Sequence, residues 1–526
     1  MPTLRIDGKE VTVENGTTIL KAAESIGIII PHFCYHPELS IAGNCRMCVV
    51  EVERMPKLQT ACSTEVSDGM VVHTTTDRVV NARRAIMEFL LINHPLDCPI
   101  CDQAGECRLQ DYSVRYGMAS SRFAEEKVKS VKREIFGPHV IYDGERCIKC
   151  TRCIRFCYEI TKTGELDMFF RGDHSTVGIF PERDLKNDYS GNVVDLCPVG
   201  ALTLREFRFK SRVWDLKKVN TICPACGRGC NIIAWVKDNR IFRLTPRFNP
   251  HVNRSWMCDH GRLSHEFLYR SERLVSPEIM NAERRRLNWK EAFDCVTDAL
   301  KSILQNHGSG SIHLVVFPFI TNEDAFLILK VLKDVFPKST VSIPIIEIGE
   351  DDSLLIRKDR TPNRRGVEEI FREVSSRIIS VDDAAKRVKE GMIKSLVVLG
   401  EGLTGANDCN ILADTPISPL EFSLFIGSFK PWNANDFSAM LPASTWAELD
   451  GTFTNFEGFV QRIFPSVLSS CESRPLWKIV QELGSRIGTR CAFRSASSVF
   501  EKLAEEHQSY RELRYFSLTD ESRIKK

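Results

Sequence analysis

The stretch Cys147-Ile148-Lys149-Cys150-Thr151-Arg152-Cys153-Ile154-Arg155-Phe156-Cys157, with Cys197-Pro198 further on, decides how this chain is read. A C-x2-C-x2-C-x3-C run is a strong signal for a 4Fe–4S cluster. In two-cluster ferredoxins the fourth cysteine of such a run serves the other cluster. A second cluster would need another three-cysteine run, and none lies near Cys197. One cluster therefore takes four of these five cysteines. The expected ligands are Cys147, Cys150, Cys153 and Cys197, which leaves Cys157 as a small buried hydrophobe.

Working outward, three more sets flank this one. Upstream lies Cys34-x10-Cys45-x2-Cys48-x13-Cys62. Four thiolates can hold a 2Fe–2S cluster, and the close pair sits in the tight loop Gly43-Asn44-Cys45-Arg46-Met47-Cys48. The x10 gap differs from the x4 of plant-type ferredoxins, and zinc or unligated cysteines are the alternatives. Next comes His94-x3-Cys98-x2-Cys101-x5-Cys107, where a neutral imidazole replaces one thiolate. Such a site is one unit less negative, which favours reduction unless burial opposes it. Spacing alone leaves zinc, held by the same four residues, as an equal alternative. Downstream lies Cys223-x2-Cys226-x3-Cys230-x27-Cys258, with Gly227 and Gly229 keeping the loop tight. It suits a third 4Fe–4S cluster. A four-cysteine zinc ribbon usually has two x2 pairs, which this set lacks.

The whole chain agrees with that reading. Sixteen of its 20 cysteines lie between Cys34 and Cys258, and only Cys295, Cys409, Cys471 and Cys491 follow. At 526 residues it is several domains, and its 43% hydrophobic and 27% charged residues are those of a soluble globular protein. A net charge of +2 gives no basic balance for nucleic acid. The opening MPTLRIDGKEVTVENG has neither a signal nor a transit pattern, and no apolar run approaches ~18 residues. The expectation is a cytosolic chain that does not itself span a membrane, where clustered cysteines read as metal ligands before disulfides. Four loaded clusters would turn the formal charge into roughly −5. Arg46, Arg108, Lys149, Arg152 and Arg228 lie near the ligands and are available to offset it.

Local patterns place the sets. Leu4 and Ile6, Asp7-Gly8, then Val11 and Val13 predict a β-hairpin, and Thr17–Ile26 carries a helical stripe. With a strand at Cys48–Glu53 this is a small α+β ferredoxin-like unit. Val79–Ile92 predicts a helix ended by Pro95, which sets His94 beside Cys98. Residues 122–137 read as a solvated connector. Beyond about residue 273 strands alternate with helices. Ser311–Phe317 is a strand, and Thr321-Asn322-Glu323-Asp324 caps a helix running to Phe336. Thr340–Ile345 is an edge strand because of Pro344. A helix near Asp382–Lys389 leads to a strand at Ser395–Leu399, an α/β domain with a largely parallel sheet.

GNCRMCVVEVE, HPLDCPICDQAGECRLQD, CIKCTRCIRFC and DLCPVGAL closely resemble the large iron–sulfur subunit family of respiratory complex I, the 75 kDa subunit family of NADH–quinone oxidoreductases. The resemblance covers residues 1–272. It implies a multidomain α+β and α/β chain: a β-grasp 2Fe–2S ferredoxin domain at 1–78 and a 4Fe–4S domain with one histidine and three cysteines at 79–120. A ferredoxin-type 4Fe–4S region at 138–212 and a molybdenum/tungsten-type 4Fe–4S domain at 216–272 follow. LPASTWAELDGTFTNFEGFVQR at 441–462 makes 273–526 look like a degenerate molybdopterin-oxidoreductase α/β domain, in which no molybdopterin is expected. The family implies one 2Fe–2S and three 4Fe–4S clusters. It implies electrons entering from a flavin on an NADH-binding partner subunit and leaving toward quinone, with proton translocation by the whole complex. The implied partners are that subunit, a 2Fe–2S subunit and the quinone-side subunits. The implied place is the cytoplasmic face of a bacterial inner membrane, and the fourth cluster lies off the main path.

The main competing reading is the alpha subunit of an NAD-linked molybdenum or tungsten formate dehydrogenase, which shares the N-terminal modules. It needs a metal-ligating cysteine well beyond Cys258, whereas Cys295 lies in the helical stretch AFDCVTDAL. An iron-only hydrogenase needs closely clustered C-terminal cysteines, and these four are scattered. A structural zinc scaffold is the last alternative. No G-x-G-x-x-G follows a strand, and Gly308-Ser309-Gly310 is turn-like, so no NAD site or autonomous catalytic constellation is expected in this chain.

Overall fold

The computed structural model describes residues 1–280, 283–400, 417–431, 433–469 and 471–525. They form two compact units, Met1–Leu216 and Lys217–Lys526. In the first unit the strands Thr3–Ile6 and Lys9–Thr12 pair antiparallel through Asp7 and Gly8, both at positive φ as a tight hairpin turn requires. Thr18 caps the Ile19–Ser25 helix by accepting the Lys21 N–H. The sheet runs Lys9–Thr12, Thr3–Ile6, Val71–His73, Val49–Val52, Gln59–Thr60, with the first and third of these five antiparallel and parallel to Thr3–Ile6 respectively. Ile19, Leu20, Ala22 and Ala23 of the helix pack on Leu4, Ile6, Val50, Val52 and Val72. Each large apolar side chain so buried contributes about 1.5–3 kcal/mol. This is the expected β-grasp layout, and the loop between helix and sheet carries the first cysteine set.

The Asp77–Ile92 helix starts at Thr76, which accepts the Val79 N–H, and stops before His94 as Pro95 demands. Arg83 on its inner face is 1% exposed and donates to Thr74 O, Val49 O and the Tyr116 hydroxyl, tying helix to sheet and to the Arg108–Tyr116 helix. The 122–137 connector is mostly exposed, as expected, but it is also an anchor. Lys127 Nζ donates to the Leu91 and Ile92 carbonyls, and Lys132 bridges Asp97 and Glu145. A free helix C-terminus attracts a cation, which periodicity alone does not reveal. Glu134–Ile135 then joins Val140–Tyr142 and Leu202–Leu204 in a small antiparallel sheet. The Arg152–Arg155 helix runs directly into a wider turn at Phe156–Ile160, and the short Asn192–Leu196 helix delivers Cys197.

In the second unit, Lys217–Ile222, Asn231–Lys237 and Arg240–Pro246 form an antiparallel sheet. A seven-stranded sheet follows in the order Arg284–Arg286, Glu278–Met280, Ala439–Pro442, Phe422–Gly427, Ser395–Leu399, Ile312–Val316, Thr340–Ser342. The last five run parallel and the first two form an antiparallel edge. Every residue of Ile312–Val316, Ser395–Leu399 and Phe422–Gly427 is buried, as a parallel sheet covered on both faces requires. The helices Trp289–His307, Asn322–Asp334, Leu476–Ile487 and Ala496–Glu506 share one apolar core with the sheet. Thr321 and Asp324 form the expected capping box, though the helix ends two residues before Phe336. The edge strand is cut to Thr340–Ser342 because Pro344 has no N–H to pair. Among the described residues no helix is long and apolar enough to cross a membrane.

Candidate metal centres

In the first set two sulfur pairs form. The Cys45 thiol donates to Cys34 and holds it down to about 5, and Cys48 acts likewise on Cys62, pushing it below the ordinary thiol range. The donors Cys45 and Cys48 are pushed up by those same bonds and by burial. Cys62 also feels the charges of Cys34 and Cys45, so the pairs are neighbours. The Cys34 N–H points at Cys45 Sγ at 3.5 Å. Gly43 and Arg46 both take positive φ, which turns the loop tightly around the sulfurs.

The second set surrounds a cavity of about 390 Å³ lined by His94, Cys98, Cys101 and Cys107 together with Lys127, Arg146 and Gly200. Burial lowers the His94 imidazole to about 4, so its ring is neutral and keeps a nitrogen lone pair for a metal. Burial raises Cys101, and raises Cys107 to about 11. Cys98 is exposed at the rim. Arg146 is 3% exposed and pairs with Asp97 at 2.9 Å and Asp143 at 3.3 Å beside this cavity. Gly200 is a site residue that spacing did not predict. It follows Cys197 of the third set by three positions, yet a Cβ there would lie 2.1 Å from Cys101 Sγ of the second.

In the third set Cys147, Cys150 and Cys197 are each raised to about 11, first by burial and then by one another's charges. Cys153 is raised by burial and by Cys150, Cys147, Cys197 and Cys157. Lys149 and Thr151 take left-handed backbone, and the Lys149 N–H reaches Cys147 Sγ at 3.4 Å. Cys157 is near enough to act on Cys153, while its own largest influence after burial is the Glu165 carboxylate. In the second unit Cys223, Cys226, Cys230 and Cys258 are all buried and all raised by burial, Cys258 to about 12. Gly261 donates to Cys258 Sγ at 3.3 Å, and its missing Cβ leaves room for Cys223 Sγ.

Among the described residues no three His, Cys, Asp or Glu side chains close in the manner of a single bound ion. The thiolates of a multi-iron cluster bind separate irons, so their sulfurs need not converge on one point. Cys295 lies on the Trp289–His307 helix, half-buried against the core, and Cys491 packs on the same core. Cys471 is half-buried between Ser469 and Ser473, and Cys409 lies outside the described residues. At the C-terminal ends of the parallel strands, where open α/β sheets bind ligands, Phe267, Phe319, Gly427, Trp446 and Leu449 line a cavity of about 60 Å³.

Family models match along the chain in the same order as the sites. Residues 1–77 match a 2Fe-2S iron-sulfur cluster binding domain, 83–122 the NADH-ubiquinone oxidoreductase-G iron-sulfur binding region, and 137–203 the ferredoxin-like domain of NADH-quinone oxidoreductase subunit 3. Residues 216–270 match the molybdopterin oxidoreductase Fe4S4 domain and 424–486 molybdopterin oxidoreductase. The NADH-quinone oxidoreductase G subunit of Rickettsia conorii is 45% identical over 301 residues, 57% of this chain and 45% of that protein. The chain is a relative of the large iron–sulfur subunit of NADH-quinone oxidoreductase. The NADH-ubiquinone oxidoreductase 75 kDa subunit of Reclinomonas americana is 41% identical over 352 residues, covering 66% of this chain and 50% of that one. The 78 kDa mitochondrial subunit of Candida albicans is 43% identical over 305 residues, covering 58% and 42%. The chain thus spans about half the length of the large-subunit relatives it matches. The resemblance to this subunit family and the multidomain fold expected of it, ferredoxin-type, 4Fe–4S and molybdopterin-oxidoreductase domains in one chain, both hold.

Proposed function

We propose that this chain is the iron–sulfur electron-transfer subunit of the peripheral arm of an NADH:quinone oxidoreductase, relaying electrons from the flavin of a partner subunit toward quinone in a complex that translocates protons. The observation that carries this reading is the set of separate, mostly buried thiol groups within the matches to the 2Fe-2S and NADH-quinone oxidoreductase family models. When bound, iron–sulfur clusters take up and release single electrons. Cys34, Cys45, Cys48 and Cys62 would hold a 2Fe–2S cluster. His94, Cys98, Cys101 and Cys107 hold one 4Fe–4S cluster. Cys147, Cys150, Cys153 and Cys197 hold a second, and Cys223, Cys226, Cys230 and Cys258 a third. We take its five domains to run over 1–78, 79–120, 138–212, 216–272 and 273–526. The partners are the flavin- and NADH-binding subunit, the 2Fe–2S subunit and the quinone-side subunits. The complex holds this chain peripherally at the cytoplasmic face of a bacterial inner membrane. We take the 273–526 domain to be a scaffold without molybdopterin.

Iron and sulfide analysis with EPR of the dithionite-reduced protein tests this. The expected result is about 14 iron atoms per chain, from one two-iron and three four-iron clusters, with neither molybdenum nor tungsten. Stoichiometric molybdenum or tungsten favours the formate dehydrogenase reading instead, and reduced protein without any iron–sulfur signal favours a zinc scaffold. The ligand choice in the third set has its own check. Cys197→Ser is expected to lose about four iron atoms, whereas Cys157→Ser retains them and the EPR signal. The opposite pattern reverses the assignment.

A further inference from the structure

Two arginines of the CIKCTRCIRFC stretch reach out of the third ligand set into the first. Arg152 is 5% exposed and has no ion-pair partner among the described residues. Its Nη2 donates to Tyr35 O, next to ligand Cys34, and its Nη1 donates to Leu196 O, next to ligand Cys197, at 3.2 Å. Arg155 makes a parallel link one turn along. Its Nη2 donates both to Cys34 O and to Cys150 O, and its Nη1 donates to Ser40 O. Ser40 is clamped in turn by Glu159 on the same helical segment, through N–H and hydroxyl at 2.8 and 2.5 Å. A buried guanidinium without a carboxylate is costly unless another anion balances it. The Cys150, Cys197 and Cys34 sulfurs, drawn from both sets, favour the Arg152 charge, while the like charge of Arg108 opposes it.

We propose that Arg152 and Arg155 form a cationic bridge shared by the first and third ligand sets, fixing the two ligand loops to each other and raising the reduction potentials of both clusters. The bridge rests on the reading that both sets hold clusters. A four-thiolate cluster carries about −2 when oxidised and gains one more negative charge on reduction. A fixed cation beside it stabilises the reduced state more than the oxidised one, so removing the cation lowers the potential. Because one side chain faces both sets, its loss is felt at two centres together. These two are positioning residues, since they hold backbone carbonyls and charge and do not ligate iron.

The test is an EPR-monitored redox titration of the holoprotein in its assembled complex, with Arg152→Gln, Arg152→Lys and Arg155→Gln beside the unsubstituted chain. In Arg152→Gln the midpoints of the first-set and third-set clusters are both expected to fall. The expected change is at least tenfold in the reduced-to-oxidised ratio at fixed potential, about 59 mV for a one-electron couple. The Cys223-set midpoint stays put and serves as the internal control. Arg152→Lys restores most of the shift, and Arg155→Gln moves the same two midpoints. If Arg152→Gln fails to assemble, the half-buried Arg155 carries the same comparison. Both signals present with neither midpoint moved, or only one moved, overturns the bridge. Absence of either signal from the unsubstituted protein overturns the ligand-set reading beneath it.

Discussion

Gly200→Ala is expected to abolish the His94-type cluster while sparing the other three. A Cβ built on Gly200 lies 2.1 Å from Cys101 Sγ, with Gln103 Cβ next at 3.2 Å. Carbon and sulfur cannot approach so closely, so one of them must move by more than an ångström. Gly200 is buried in the segment between Cys197 and the Leu202–Leu204 strand, which leaves its backbone little freedom. Cys101 must therefore swing away, and a cluster held by four residues loses one of its thiolates. Iron content is expected to fall from about 14 to about 10 per chain, with one EPR signal lost. Gly261→Ala is the milder comparison, since its Cβ would stand 2.9 Å from Cys223 Sγ and 3.5 Å from Cys258 Sγ. Full iron content and an unchanged second-site signal in Gly200→Ala would remove Cys101 from the ligand set.

Glu323→Gln is expected to flatten the pH dependence of stability. Glu323 is fully buried, accepts the Thr452 N–H at 2.9 Å and meets the Thr452 hydroxyl at 3.0 Å. Burial raises its carboxyl to about 8, and the adjacent Asp324, itself raised by burial to about 6, adds to this. The unfolded chain holds these protons only below its ordinary carboxyl range near 4. The contribution is thus fully present below about pH 4 and is lost as pH rises through about 6 for Asp324 and about 8 for Glu323. For Glu323 the loss is on the order of a few kcal/mol. A glutamine amide keeps both bonds to Thr452 and never ionises. Urea unfolding of the full chain at a series of pH values should show a midpoint that falls from pH 5 to 8 in the parent. The fall should be much smaller in Glu323→Gln, and equal slopes would mean that Glu323 is charged inside the fold.

Much of the site was legible in the sequence because chelating loops are local. Cys147, Cys150 and Cys153 lie within seven residues, and their spacing reflects what one loop can present to a cluster. The helix that ends before His94 and the capping box at Thr321 are equally local, set by proline and by side-chain-to-backbone bonds. The connector at 122–137 was legible only as a polar stretch, because Lys127 and Lys132 act on partners more than a dozen residues away.

The sequence by itself determined the donor types, the grouping of cysteines into four sets and the alternation of strands and helices, all of which depend on neighbours along the chain. The tertiary structure alone decided what lies between the groups. It put Glu165 beside Cys157, brought Gly200 onto Cys101, and laid Arg152 and Arg155 across to Tyr35 and Cys34 from more than a hundred residues away. Contacts of that kind follow from how whole modules pack, and neither spacing nor periodicity encodes them.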